Sequence, residues 1–166
     1  MGINTFRLSV EWARIEPAPG EYDDEALAHY DRIIDTIRGY GMVPMITMVH
    51  FTYPGWLADQ GGMLSDGAVE AFGRFSELIT QRWAGDGTMW VTFNEPLVFF
   101  KHEMTIGRVG FQDFSRFLDQ IEAAHRLGYA AAHRADPDAM VTMNEAYLPL
   151  ATDFTDTLIG DRVADV

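Results

Sequence analysis

Four short apolar runs, Ile3 to Val10, Met42 to Val49, Met89 to Phe93 and Met140 to Met143, recur along this chain with a helix-length stretch between each pair. Each run reads as a strand, and Glu16-Pro-Ala-Pro-Gly20 breaks the chain after the first. In the first interval Asp23 and Asp24 can cap a helix in which Leu27, Tyr30, Ile33, Ile34 and Ile37 return every three or four residues, ending at Gly39 and Gly41. Thr52 to Gly67 reads as turns, and a second helix follows with Ala68, Phe72, Phe75, Ile79 and Trp83 on one face, closing at Gly85-Asp86-Gly87. A third helix, from about Phe114 to Arg134, carries Phe117, Leu118, Ile121, Ala124 and Gly128 and stops at Asp136-Pro137. Strand, helix, strand, helix, strand, helix, strand is the order of a parallel α/β sheet, because each return to a parallel neighbour needs a crossover.

Two architectures share that order, an open doubly wound sheet and a closed barrel of eight strand-helix units. The glycine fingerprint of a dinucleotide-binding open sheet follows none of the four strands, which favours the barrel. A closed (β/α)8 TIM barrel takes about 250 residues. The 166 residues, with no internal repeat, low-complexity tract or linker, are therefore expected to form a partial TIM barrel, about strands 2 to 5 with their helices. Residues 1–166 would be one incomplete barrel domain, lacking the first strand and the C-terminal half. Such a piece exposes two apolar strand edges, a hazard for pairing and aggregation.

Composition narrows the partners. A formal net charge of −13 opposes binding to phosphate backbones and anionic lipid, so neither nucleic acid nor a membrane surface is expected as a partner. With no cysteine there is no disulfide, thiolate metal site or cysteine nucleophile. The N-terminus lacks a secretory pattern and no apolar run approaches the roughly 20 residues of a membrane span, giving a cytoplasmic expectation by default.

In a barrel the chemistry sits at the C-terminal ends of the strands. Trp90-Val-Thr-Phe-Asn-Glu-Pro96 ends an apolar run in an amide, a carboxylate and a proline expected to keep the chain extended, a pair able to present a proton donor and an amide to a ligand. The plain alternative is a solvated strand end. Arg7 lies within the first strand, where a cation is costly to bury without an anion, so a carboxylate partner is expected: a functional one, or Glu11 or Glu16 in an ordinary salt bridge. His50 ends the second strand beside Phe51; lone histidines are commonly satisfied core groups, but this one falls on the rim of Asn94 and Glu95. Asn144-Glu145 repeats the Asn-Glu pair without the proline, and Glu145 is read as structural, the alternative being a place on the rim. Trp12, Trp56, Trp83 and Trp90 admit a sugar-stacking reading, although helix and strand spacing already account for Trp83 and Trp90 as core. No His-Glu-x-x-His, phosphate loop or Gly-x-Ser-x-Gly elbow occurs, and neither His125 nor His133 suggests a metal.

Phe6-Arg-Leu-Ser-Val-Glu-Trp-Ala-Arg-Ile-Glu-Pro17, Pro19-Gly20-Glu-Tyr22, His50-Phe-Thr-Tyr-Pro54 with Trp56-Leu57 and Gly61-Gly62, and Trp90-Val-Thr-Phe-Asn-Glu-Pro96 together closely resemble glycoside hydrolase family 1, the retaining β-glucosidase and β-galactosidase family. The resemblance implies an eight-stranded barrel with Glu95 as general acid/base, Asn94 bonding the sugar 2-hydroxyl, His50 binding another hydroxyl, and Arg7 pairing with a nucleophilic glutamate. It implies a β-linked glycoside as substrate and requires no cofactor. In a retaining mechanism the second carboxyl stands about 5 to 5.5 Å from the acid and attacks the anomeric carbon. The family's Thr-Glu-Asn-Gly nucleophile motif, its glutamine-bearing first strand and its C-terminal sugar-gripping tryptophan and glutamate are absent from this sequence. Phe51 and Met63 also stand where many members have tryptophan.

Three readings follow. The first is a piece of a family 1-like β-glycosidase, inactive or nearly so by itself, with the nucleophile outside this chain. The second is a non-catalytic sugar-binding or interaction half barrel that pairs its open edges with another chain; retention of Arg7 and Glu95 speaks against it. The third is a different barrel glycosidase family carrying Asn-Glu on the corresponding strand, against which the contexts of Arg7 and His50 argue.

Overall fold

The computed structural model describes residues 2–145. The remainder of the expected 1–166 unit lies outside the described residues. Strands β1 (Thr5–Ser9), β2 (Val43–Val49), β3 (Met89–Asn94) and β4 (Met140–Asn144) form one sheet, all neighbours parallel, in the spatial order of the sequence. A doubly wound sheet reverses its order at a switch point. None occurs among the described residues, so right-handed crossovers carry successive helices over one face, as in a barrel wall.

The crossover helices are α2 (Asp24–Gly39), α4 (Ala68–Trp83) and α6 (Phe114–Ala135), close to the spans that apolar spacing predicts. Asp23 caps α2 as expected, its carboxylate accepting from the Ala26 N–H at 2.9 Å. Leu27, Tyr30, Ile34 and Ile37 are buried along α2, and Phe72, Phe75, Ile79 and Trp83 along α4. In α6 the glycine at 128 permits close approach to the sheet, since a Cβ there would stand 3.0 Å from both Phe72 and Thr92. Trp12, Trp83 and Trp90 are buried core residues, Trp12 stacking on Phe75 at 5.0 Å between centroids. Trp56 packs against the same core and donates its indole N–H to the Glu16 carbonyl. The sugar-stacking reading of this tryptophan set therefore gives way to packing.

Among the described residues three α-helices lie where the sequence reading has none: α1 (Trp12–Ile15), α3 (Gly55–Asp59) and α5 (Pro96–Thr105). The first two are single turns in loop-like sequence. Helix α5 escapes because Leu97, Val98, Phe99 and Phe100 run consecutively and leave no one-sided stripe. Pro96 does not extend the chain; it occupies the first helical turn, where the missing N–H would have had no partner. The residue before it, Glu95, takes left-handed angles (φ 46°, ψ 68°) that turn the chain sharply from strand into helix.

Candidate active site

The strand register brings the polar ends level. Ser9 pairs with Thr47, Val49 with Phe93 and Asn94 with Asn144, so His50 and Glu95 leave the sheet on one rim. The β3–β4 register shifts between Val91 and Asn94. Such an irregularity re-aims the side chains that follow it, here those of Asn94 and Glu95.

Arg7 organises the rim. Its Nε donates to Thr47 Oγ1 on β2 at 2.9 Å, and its Nη2 donates to Asn94 Oδ1 on β3 at 2.7 Å and to Asn144 Oδ1 on β4 at 3.1 Å. Asn144 Nδ2 also donates to Asn94 Oδ1 at 3.2 Å. One side chain from β1 thus touches all three other strands. In a flat sheet β1 and β4 would lie roughly 14 Å apart, three strand spacings of about 4.8 Å. Contact between Arg7 and Asn144 therefore requires a sheet curled toward this face, which is the curvature of a barrel.

The expected carboxylate partner of Arg7 is not found among the described residues. Glu11 instead caps α1 and accepts from Thr52, and Glu16 accepts from the Trp12 indole and the Gly20 N–H. The physical reason is exposure: Arg7 stands on the open concave face, not in a dry core, and three neutral oxygens take the N–H groups of Nε and Nη2 without neutralising its charge.

His50 is exposed at the end of β2, with its Nδ1 2.9 Å from Ser9 Oγ and its ring edge-on to Phe51 at 4.9 Å. Fixing Nδ1 in this way leaves Nε2 for a ligand. Asn94 is buried and Glu95 half-buried, and the Glu95 carboxyl makes no hydrogen bond or ion pair among the described residues. Arg7 and Asn94 are joined directly, whereas His50 and Glu95 share the rim without a bond to that pair. Both Phe51 (φ 69°) and Glu95 (φ 46°) hold left-handed backbone, and such strained residues cluster at functional sites.

Asn144, Thr47 and Ser9 belong to this constellation but escape sequence reading. The imitation of Asn94-Glu95 by Asn144-Glu145 was the available signal for Asn144. Thr47 and Ser9 are ordinary strand residues until the register is known. Glu145 accepts from the Leu97 N–H at 3.1 Å, at the start of α5. His125 pairs with Thr92 at 2.7 Å, and burial pushes its pKa below the ordinary imidazole value. Among the described residues no group of three or more His, Asp or Glu could hold a metal, and no helix is long and apolar enough to cross a membrane.

Comparison with known proteins places this geometry. The cytosolic β-glucosidase of Cavia porcellus is 30% identical over 135 residues, covering 80% of this chain and 27% of the relative. The apo structure of a β-glucosidase, 1317, superposes with a TM-score of 0.72 at 29% identity, over 87% of this chain and 42% of that one. The AHE enzyme from Alicyclobacillus herbarius gives 0.79 at 26% identity, over 92% of this chain and 36% of that one. The chain thus spans well under half the length of these relatives, and its sheet corresponds to part of their barrel. Since the model for glycosyl hydrolase family 1 matches residues 1–152, and the curled parallel sheet superposes on β-glucosidase barrels, this chain belongs to glycosyl hydrolase family 1 and forms a partial (β/α)8 barrel.

Proposed function

We propose that this chain contributes the acid/base half of a retaining β-glycosidase acting on β-linked glucosides or related sugars, with Glu95 as the general acid/base. The observation that carries the reading is Arg7, a cation reaching Asn94 across two strands and lacking a carboxylate among the described residues. That arrangement suits an anion arriving from elsewhere. The nucleophilic glutamate is that anion, held ionised by the guanidinium, while Glu95 protonates the leaving glycosidic oxygen. After the glycosyl-enzyme forms, the same Glu95 carboxylate takes a proton from water, which attacks the anomeric carbon and releases the sugar with its β configuration retained. Asn94 bonds the 2-hydroxyl and His50 another hydroxyl of the same ring.

On this reading residues 1–166 are one incomplete barrel domain, and the nucleophile lies in sequence this chain does not contain. Neither nucleic acid nor a membrane is a partner, given the net charge of −13. A cytoplasmic location is the matching proposal, in line with the name of the guinea-pig relative.

The test is hydrolysis of a chromogenic β-glucoside. The 166-residue chain should give no turnover. The continuous protein, recovered by reading the coding DNA on both sides, should hydrolyse it, and Glu95→Gln should lower kcat by about 10²–10⁴-fold. Robust turnover by the short chain would refute its incompleteness. Genuine start and stop codons bounding Met1 and Val166, with no turnover, would favour the half-barrel binding protein.

A further inference from the structure

A second constellation lies behind the rim, in the loop that follows His50. Glu103 of α5 is buried, its side chain 3% exposed, and a carboxylate so placed needs compensation. Tyr53 Oη donates to Glu103 Oε2 at 2.5 Å, and Arg108 Nη1 donates to Tyr53 Oη at 2.9 Å while standing 4.0 Å from Glu103 Oε1. The donors run in one direction, guanidinium to phenol to carboxylate. Arg108 also sits 5.6 Å above the Tyr53 ring, and burial together with the Glu103 bond raises the Tyr53 pKa far above the ordinary phenol value. The neighbouring turn is shaped to the hydroxyl, since Gly62 (φ 64°) leaves space that a Cβ would take from Tyr53 Oη.

Apolar residues in place of Tyr53 and Glu103 together would fill this space without burying a charge, whereas loss of Tyr53 alone leaves the Glu103 carboxylate buried without its phenol donor. What the three bonded groups hold is the strained corner between His50 and Tyr53. Phe51, at φ 69°, and Tyr53 both pack on Phe99, at 6.2 and 5.9 Å, and Thr52 between them donates to Glu11. Left-handed backbone at a phenylalanine persists only where its surroundings over-determine it. We propose that Tyr53, fastened by Glu103 and Arg108, is a positioning residue that locks the His50–Phe51 corner onto α5 and so sets where the His50 imidazole stands on the rim. Its functional value rests on the sugar-binding reading of His50.

The test is the NMR spectrum of the His50 imidazole in the 166-residue chain. Tyr53→Phe keeps the ring and its ring current, so any His50 change reports displacement. The expected result is broadening or splitting of the His50 and Phe51 signals with His125 unchanged. Arg108→Met, at the exposed end, should act in the same direction and serves if Tyr53→Phe does not fold. Glu103→Gln, which keeps an acceptor for the phenol, should hold the wild-type His50 signals, and Glu103→Ala should lose them. Lowered denaturation midpoints with His50 unmoved in the Tyr53 and Arg108 variants would overturn the proposal and leave a purely structural role. The sugar-binding reading fails separately, if deoxynojirimycin does not perturb the His50 signals in the continuous protein with unaltered Tyr53.

Discussion

The inner strands β2 and β3 differ from the outer strands β1 and β4 far more in surroundings than in composition. In β3 the run from Trp90 to Asn94 is buried throughout, and β2 is buried at five of its seven positions. In β1 no residue is fully buried, and Phe6 is 47% exposed; in β4 Met140 is 57% exposed. Yet Phe6-Arg-Leu and Met140-Val-Thr-Met are as strand-like as Val91-Thr-Phe. An apolar strand residue becomes core only when a neighbour covers it, and the described residues supply neighbours on both sides only for β2 and β3. Arg7 shows the other consequence of lying outermost: from β1 it reaches inward along the concave face to every other strand, which a residue of an inner strand need not do.

The contrast is measurable by denaturant unfolding. Phe93→Ala, removing a fully buried ring that lies 4.6 Å from Phe72, should cost about 3–5 kcal/mol; a loss below about 1 kcal/mol would show β3 to be no better packed than the edges. Thr47→Val removes the acceptor of Arg7 Nε with little change of shape and should cost about 1 kcal/mol, and a double-mutant cycle with Arg7→Met should account for most of that loss.

A pH titration sharpens the same contrast, because the inner strand β3 contacts a depressed histidine. His125 has its pKa lowered from 6.5 by burial, so between the folded and unfolded values the unfolded chain binds more protons. Its contribution to stability is full above the unfolded value and is lost as pH falls through 6.5 toward the lowered folded value. His125→Gln should flatten that part of the stability profile, and an unchanged slope would remove the assignment. The smallest effect belongs to the edge: Phe6→Ala should change stability by no more than about 0.5 kcal/mol. A loss as large as that of Phe93→Ala would mean that β1 is covered in solution.

Much of the architecture was readable in advance because α2, α4 and α6 bury stripes with a clear 3.6-residue period, and because an aspartate stands at the α2 cap. Helix α5 was not readable, since its apolar residues wrap round the helix and Pro96 looks like an interruption until it is seen in the first turn. At the site, Glu95, Asn94, His50 and Arg7 were legible as polar groups closing or interrupting apolar runs. The partners of Arg7 were not: the neutral oxygens of Thr47, Asn94 and Asn144 satisfy it where a carboxylate was expected. Nothing local distinguishes a strand threonine that meets a guanidinium from one that does not.

Order of elements, crossover spacing and the polar residues that end the strands follow from local patterning, because hydrophobic period, caps and turn formers act within a few residues. The curl of the sheet, the pairing of Arg7 with a residue 137 positions away, and the burial of Glu103 beneath Tyr53 do not. They depend on strand register and on which face each crossover packs, so long-range contacts between distant segments decide them.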